Sequence, residues 1–216
     1  YMQDIQYEEY PKEKFQSDSI IILMHGIGAD AFDLLPLAKY WSKKLIKTQF
    51  YSLHAPFKYN LGGFGKQWFD LQDRDQTRIL NEIELIKPML INFFKKKIKE
   101  NRLSYEKLIL VGFSQGTMVA LNIGISIKEK IKSILGYSGG VILSKSGKIK
   151  IASKPNICLI HGKKDDVVPS RMMETSKLIF KENNFSIETH LIDNLGHSID
   201  NMGLDIGQKF LIKNLK

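Results

Sequence analysis

The chain has 216 residues, 43% of them hydrophobic and 25% charged, with a formal net charge of +9 at pH 7. That length suits one domain, residues 1–216, with a sizeable core, and the composition is that of a globular protein in water rather than a disordered or fibrous one. No apolar run approaches the roughly 20 residues of a membrane span, no basic stretch leads into an apolar one at the start, and the basic excess is scattered without aromatic interleaving, so neither a secretory leader nor a nucleic-acid partner is expected.

In chain order, residues 1–19 are polar and aromatic, with an edge strand expected near 5–10. Ile20-Ile21-Ile22-Leu23-Met24 reads as a strand apolar on both faces, as parallel strands covered by helices are. A glycine-rich turn, His25-Gly26-Ile27-Gly28-Ala29-Asp30, follows it directly. Phe32, Leu35, Leu37, Ala38, Trp41 and Leu45 then suit an amphipathic helix, and residues 48–53 a second strand closed by His54-Ala55-Pro56. Residues 57–78 read as irregular. Ile79, Ile83, Ile86, Leu90, Phe94 and Ile98 recur at helical spacing, with Pro88 expected to kink or split that helix.

Leu108-Ile109-Leu110-Val111 is a buried-strand pattern running into Gly112-Phe113-Ser114-Gln115-Gly116, with a helix-compatible apolar stretch after it. Further strands are expected at 133–137, 156–160 and 186–192, and helices at 171–183 and from about 198 to 215. Cys158, the single cysteine, lies inside the fifth strand pattern and reads as inert core. One cysteine makes no internal disulfide, which fits a reducing, cytoplasmic location. The lysine clusters at 43–47, 95–99 and 128–132 fall on polar helix faces and read as solvated surface, with some attraction to anionic membranes. Strands alternate with helices throughout. The expected architecture is therefore a mostly parallel sheet with helices on both faces and no large cap domain.

The chemistry gathers at strand ends, where such sheets place their working residues. Gly-x-Ser-x-Gly between a strand and a helix is the pattern of a nucleophile held on a sharp turn, where side chains at either glycine would collide with the adjoining strand and helix. Asp165 or Asp166 follows a later strand, and His197 follows the last one. The order Ser…Asp…His is that of the α/β-hydrolases. A serine hydroxyl is a poor nucleophile until a neutral imidazole takes its proton, and a carboxylate must fix that imidazole's tautomer. His25 and His161, each before a glycine at a strand end, and His54 before Ala55-Pro56, read as loop braces; His190 lies within a strand. The histidines lack a short-spaced set of companion ligands, so no metal is expected.

These residues carry a resemblance to the carboxylesterase and acyl-protein thioesterase family, also called the phospholipase/carboxylesterase family. The matching motifs are the His25–Asp30 turn, His54-Ala55-Pro56, Trp68-Phe69-Asp70, the Ser114 turn, Ser138-Gly139, His161-Gly162 through Asp165 to Val168-Pro169, and Gly196-His197. The resemblance implies the α/β-hydrolase fold and a serine hydrolase that cleaves carboxylic esters or thioesters through an acyl-enzyme, without cofactor or metal. It implies Asp165 rather than Asp166 as the carboxylate, from the family's spacing to His-Gly and to proline. It also implies the backbone amides of Ile27 and Gln115 as oxyanion donors, and a lipid or S-acylated protein as substrate.

Two departures stand out. Thr117 replaces a family glycine and is expected to narrow the acyl site, and Gly140-Val141 replaces bulkier residues at the pocket wall. Leu61, Phe64 and Trp68, on a glycine-rich stretch after the second strand, are expected to flank the acyl chain. Rival readings are a non-catalytic binding protein of the same fold and a serine peptidase of that fold; a dienelactone-type hydrolase would carry a cysteine nucleophile. Oligomeric state is left open, a dimer included.

Overall fold

The structure is a computed structural model that describes residues 4–13, 15–73 and 75–215. The first three residues, on which the expectation of no leader partly rests, lie outside it. Seven strands form one sheet: β1 (Tyr7–Tyr10), β2 (Ser19–Met24), β3 (Thr48–Leu53), β6 (Leu108–Phe113), β7 (Ser133–Tyr137), β8 (Asn156–Gly162) and β9 (Ile187–Ile192), in the spatial order β1-β3-β2-β6-β7-β8-β9. Every pairing is parallel except that of the edge strand β1 with β3. Helices α1 (Ala31–Ser42), α2 (Gln76–Glu100), α3 (Gln115–Gly124), α4 (Arg171–Glu182) and α5 (Asn201–Leu215) complete the layers.

Alternation along each strand divides the core in two. From β2, Ile20, Ile22 and Met24 join the cluster under α2, α3 and α4, while Ile21 and Leu23 join the one under α1 and α5. This is why Ile20–Met24 is apolar at every position, and it buries the parallel sheet on both faces. Among the described residues no helix is long and apolar enough to cross a membrane.

Three local expectations change. Pro88 neither splits nor ends α2, which runs unbroken from Gln76 to Glu100. Pro88 and Glu84 both lie on the exposed face, one turn apart, and the buried Ile79–Ile98 stripe holds the helix in place. Lys97 is not solvated surface. Its ammonium lies over the Tyr7 ring (4.1 Å) and the Tyr51 ring (4.7 Å) and bonds Tyr7 Oη and Glu100, fastening β1 to α2. Burial opposes that charge, but Glu100 and Tyr7 outweigh it and hold the ammonium above its ordinary range. Finally, the stretch after β3 is not wholly irregular: β4 (Phe57–Lys58) and β5 (Lys66–Gln67) pair as a small antiparallel ribbon.

Candidate active site

At the carboxyl end of β6 the backbone turns into α3 through Ser114, which has φ 54° and ψ −118°. That is strained for a residue with a side chain, and such strain persists only where neighbours enforce it. A Cβ on Gly116 would run into the carbonyl of Met24, and one on Gly112 into the Gly116–Thr117 peptide. Both glycines are therefore required for the elbow to sit this close to β2 and α3. The Ser114 amide bonds Tyr137 O across to β7 (2.9 Å).

Thr117 does not narrow an open site. It is fully buried, donates from Oγ1 to Tyr137 O (2.8 Å) and accepts from Tyr137 N (3.1 Å). Its methyl faces the sheet, where Cβ atoms on Gly136 and Gly139 would meet it. The extra bulk is thus accommodated by glycines on the neighbouring strand end, away from the serine hydroxyl.

Ser114 Oγ lies 3.0 Å from His197 Nε2, and His197 Nδ1 lies 2.7 Å from Asp165 Oδ2. The other carboxylate oxygen accepts the amides of Val167 (3.0 Å) and Val168 (2.8 Å). Burial alone would raise the Asp165 carboxyl, but the His197 bond and these amides outweigh it and hold it below the usual carboxylate range. Asp165 is therefore ionised and acceptor-only, which puts a proton on His197 Nδ1, so that in the neutral ring Nε2 is the nitrogen left to accept from the serine. Asp166 is exposed and makes none of these contacts. Phe113 packs on the His197 ring, centroids 4.9 Å apart.

The turn after β2 is built around His25. The ring is fully buried, and burial pushes its pKa down to about 4, so it is neutral. Nε2 accepts from Ala55 N (3.1 Å), which leaves the proton on Nδ1 for the carbonyl of Gly26 (2.6 Å). Because a trans peptide sets its N–H opposite its C=O, fixing the Gly26 carbonyl also fixes the Ile27 amide. A Cβ on Gly26 would lie 3.3 Å from that of Ser114, so this peptide borders the serine. Among the described residues, neither the Ile27 amide nor the Gln115 amide at the start of α3 is taken up by a backbone acceptor.

Since an unfolded histidine takes its proton near pH 6.5, folding excludes a proton from His25 between about pH 6.5 and 4, and acid favours unfolding in that window. Stability should thus be full above pH 6.5 and fall by about 3 kcal/mol by pH 4 from this residue alone, with His161, also lowered by burial, acting in the same direction. Urea unfolding across the window should give a steeper pH dependence for the parent than for His25→Gln; equal slopes contradict the assignment.

Of the three residues expected to flank an acyl chain, the structure separates one from the others. Trp68 is fully buried; its Nε1 donates to His25 O (2.9 Å) and its amide to Gln115 Oε1 (2.8 Å). It supports the His25 turn from inside, a role that its polar tip and large apolar body suit. Gln115 Nε2 also donates to Phe69 O (2.6 Å), so the elbow residue clamps the end of the β4–β5 segment. At its base the ribbon bonds the His25–Asp30 turn (Gly28 N to Lys66 O and Lys66 N to Ala29 O, both 2.8 Å), while at its tip Leu61 and Phe64 are exposed, Phe64 fully.

A cavity of about 320 Å³ beside His197, walled by Leu34, Leu37, Phe113 and Ile199 with Asp33 among its lining, was hidden in the sequence because α1 reads simply as an amphipathic core helix. Among the described residues, three potential metal ligands gather at Cys158, Glu188 and His190, toward the amino ends of β8 and β9 rather than the carboxyl ends where Ser114 lies. Burial, and then Glu188, push the Cys158 thiol above its ordinary range, so it is a protonated core thiol and a poor ligand.

The fold and the strained serine–histidine–carboxylate chain define an α/β-hydrolase. The chain belongs to the phospholipase/carboxylesterase family, whose sequence model matches residues 7–215, and with it to the esterases. It is 26% identical over 219 residues to acyl-protein thioesterase 1 of Gibberella zeae, covering 93% of this chain and 92% of that one. The crystal structure of esterase PE8 superposes with a TM-score of 0.91 at 32% identity, covering 98% of this chain and all of that one. That of Arabidopsis thaliana SOBER1 shares the fold, with a TM-score of 0.78 at 22% identity over 92% of this chain and 99% of that one.

Proposed function

We propose that Ser114 is the nucleophile, His197 the general base and acid, and Asp165 the orienting carboxylate of an acyl-enzyme esterase acting on carboxylic esters and thioesters. The observation that carries this reading is the 3.0 Å approach of Ser114 Oγ to Nε2 of a histidine whose other nitrogen is bound to a buried carboxylate. In the first half-reaction His197 takes the Ser114 proton as Oγ attacks the acyl carbon, and the Ile27 and Gln115 amides receive the developing oxyanion. His197 then protonates the leaving alcohol or thiol. In the second half-reaction water repeats the attack on the acyl-serine with His197 again as base, the acyl–Oγ bond breaks, and His197 returns the proton to Ser114 Oγ as the carboxylic acid leaves. The free Ile27 and Gln115 amides support this assignment because such donors must await the oxyanion rather than be bound in the resting protein.

The substrate class follows the thioesterase relatives: a lipid-like acyl ester or an S-acylated protein, with no cofactor or metal taking part in the steps above. We read residues 1–216 as one α/β-hydrolase domain working in the cytoplasm, with its basic surface favouring anionic membranes. An active-site phosphonate should label the parent and fail to label Ser114→Ala. A series of esters of rising acyl length, with a lysophospholipid and an S-acyl peptide beside them, should rank the substrates. Absence of both labelling and hydrolysis would favour the binding-protein alternative.

Leu61 and Phe64 remain the proposed acyl contacts, since their exposed side chains stand on a ribbon fastened to the turn that borders Ser114. Each buried methylene contributes about 0.8 kcal/mol, so Phe64→Ser should depress long-chain esters far more than acetates. Equal losses on both, or none on either, would return the ribbon to a structural role.

A further inference from the structure

Asp165 has more around it than the orientation of one histidine requires. Besides the two valine amides on Oδ1 and His197 on Oδ2, a second imidazole nitrogen, His161 Nε2, lies 3.3 Å from that same Oδ2. The protonation of His161 follows from its surroundings. Nε2 is 2.7 Å from the Val168 carbonyl, which can only accept, so Nε2 carries the proton. Nδ1 is enclosed and meets no hydrogen-bond partner among the described residues. A proton there would be a buried N–H without an acceptor, so the ring is held neutral, and burial favours the same form. Asp165 and His197 are the titratable side chains that bear on it, from the loops after β8 and β9; its neighbour across the strands, paired through β9, is Leu191.

We propose that His161 is a positioning residue for the Asp165–His197 pair, its single N–H donated to the Val168 carbonyl and lying beside Asp165 Oδ2; this rests on the reading of Ser114, His197 and Asp165 given above. This placement acts twice. It ties the Val168 peptide back to the end of β8, which keeps the Val167 and Val168 amides aimed at Oδ1. It also sets the positive end of the N–H dipole close to the oxygen that faces His197, without a hydrogen bond to it. A carboxylate with less positive charge around it stabilises a neighbouring cation more strongly. Loss of the His161 N–H should therefore favour the protonated form of His197, which cannot act as base.

The test compares His161→Leu, which fills the space without a donor, with His161→Gln, whose amide can present an N–H near the Nε2 position. The acid limb of kcat/KM should move to higher pH by about half a unit or more in the leucine variant, and the glutamine variant should move it back toward the parent. NMR titration of the His197 ring in the same three proteins should shift in parallel. An unmoved limb and an unmoved ring titration in His161→Leu overturn the proposal, as does a glutamine variant displaced as far as leucine. If the leucine variant does not fold, the glutamine variant decides: it must keep both the parent's limb and its ring titration, and displacement of either overturns the assignment. A ring titration that behaves as expected in proteins that hydrolyse no ester supports the His161 assignment while refuting the hydrolase reading, so the two failures are distinct.

Discussion

Replacing Ser114 by alanine is expected to lower ester turnover by about 10⁴-fold or more, because members of such a triad act as a unit and the remaining groups retain only binding and oxyanion stabilisation. That loss corresponds to roughly 5.5 kcal/mol of transition-state stabilisation at about 1.4 kcal/mol per decade. Stability should change far less. Alanine keeps the Cβ and hence the same backbone strain at φ 54°, while the hydroxyl's hydrogen bond is to His197, a neighbour only partly enclosed. The elbow itself is fixed by Gly112, Gly116 and the Ser114 amide bond to Tyr137 O, none of which the substitution touches. A melting curve close to the parent's, together with lost turnover and lost phosphonate labelling, is the expected combination. A variant that folds and still works at a tenth of the parent rate would remove Ser114 from the mechanism.

The central strands were legible because their residues are apolar on both faces, as at Ile20–Met24, and because several end in a glycine-bearing turn. The Ser114 elbow could be read for the same reason, since its glycines are required by close approaches that leave a trace in the sequence. What stayed hidden depends on where a side chain points. Trp68 follows a glycine-rich, exposed ribbon, and nothing in its neighbours announces that its ring turns inward to the His25 carbonyl. Lys97 sits in a lysine run, and only the aromatic residues brought to it from β1 and β3 make it a buried cation. Thr117 looked like added bulk at the site because its partner, the Tyr137 backbone, is 20 residues away. The second imidazole beside Asp165 was similarly masked: His161 reads as a loop brace, and four residues of separation do not reveal that it approaches the same oxygen as His197.

The two adjacent aspartates give the sharper expectation about that loop. Asp165→Asn should cost about 10³- to 10⁴-fold in kcat, as removal of the orienting carboxylate does in triads of this kind, whereas Asp166→Asn should stay within about twofold, as exposed substitutions that touch no partner do. The difference follows from donors and acceptors. Both oxygens of Asp165 accept: Oδ1 from Val167 and Val168, Oδ2 from His197. An asparagine keeping its oxygen toward the valine amides must present its NH₂ to His197 Nδ1–H, donor against donor. His197 then escapes by moving its proton to Nε2, the nitrogen that must be bare to receive the Ser114 proton. Flipping the amide the other way sets the NH₂ against two backbone amides instead and loosens the loop. Asp166, one residue on, is exposed, and its amide replacement disturbs no acceptor within the site. Steady-state kinetics on both variants, with urea unfolding alongside to separate loop loosening from loss of the base, decides the matter. Penalties in the reverse order would move the carboxylate assignment by one residue.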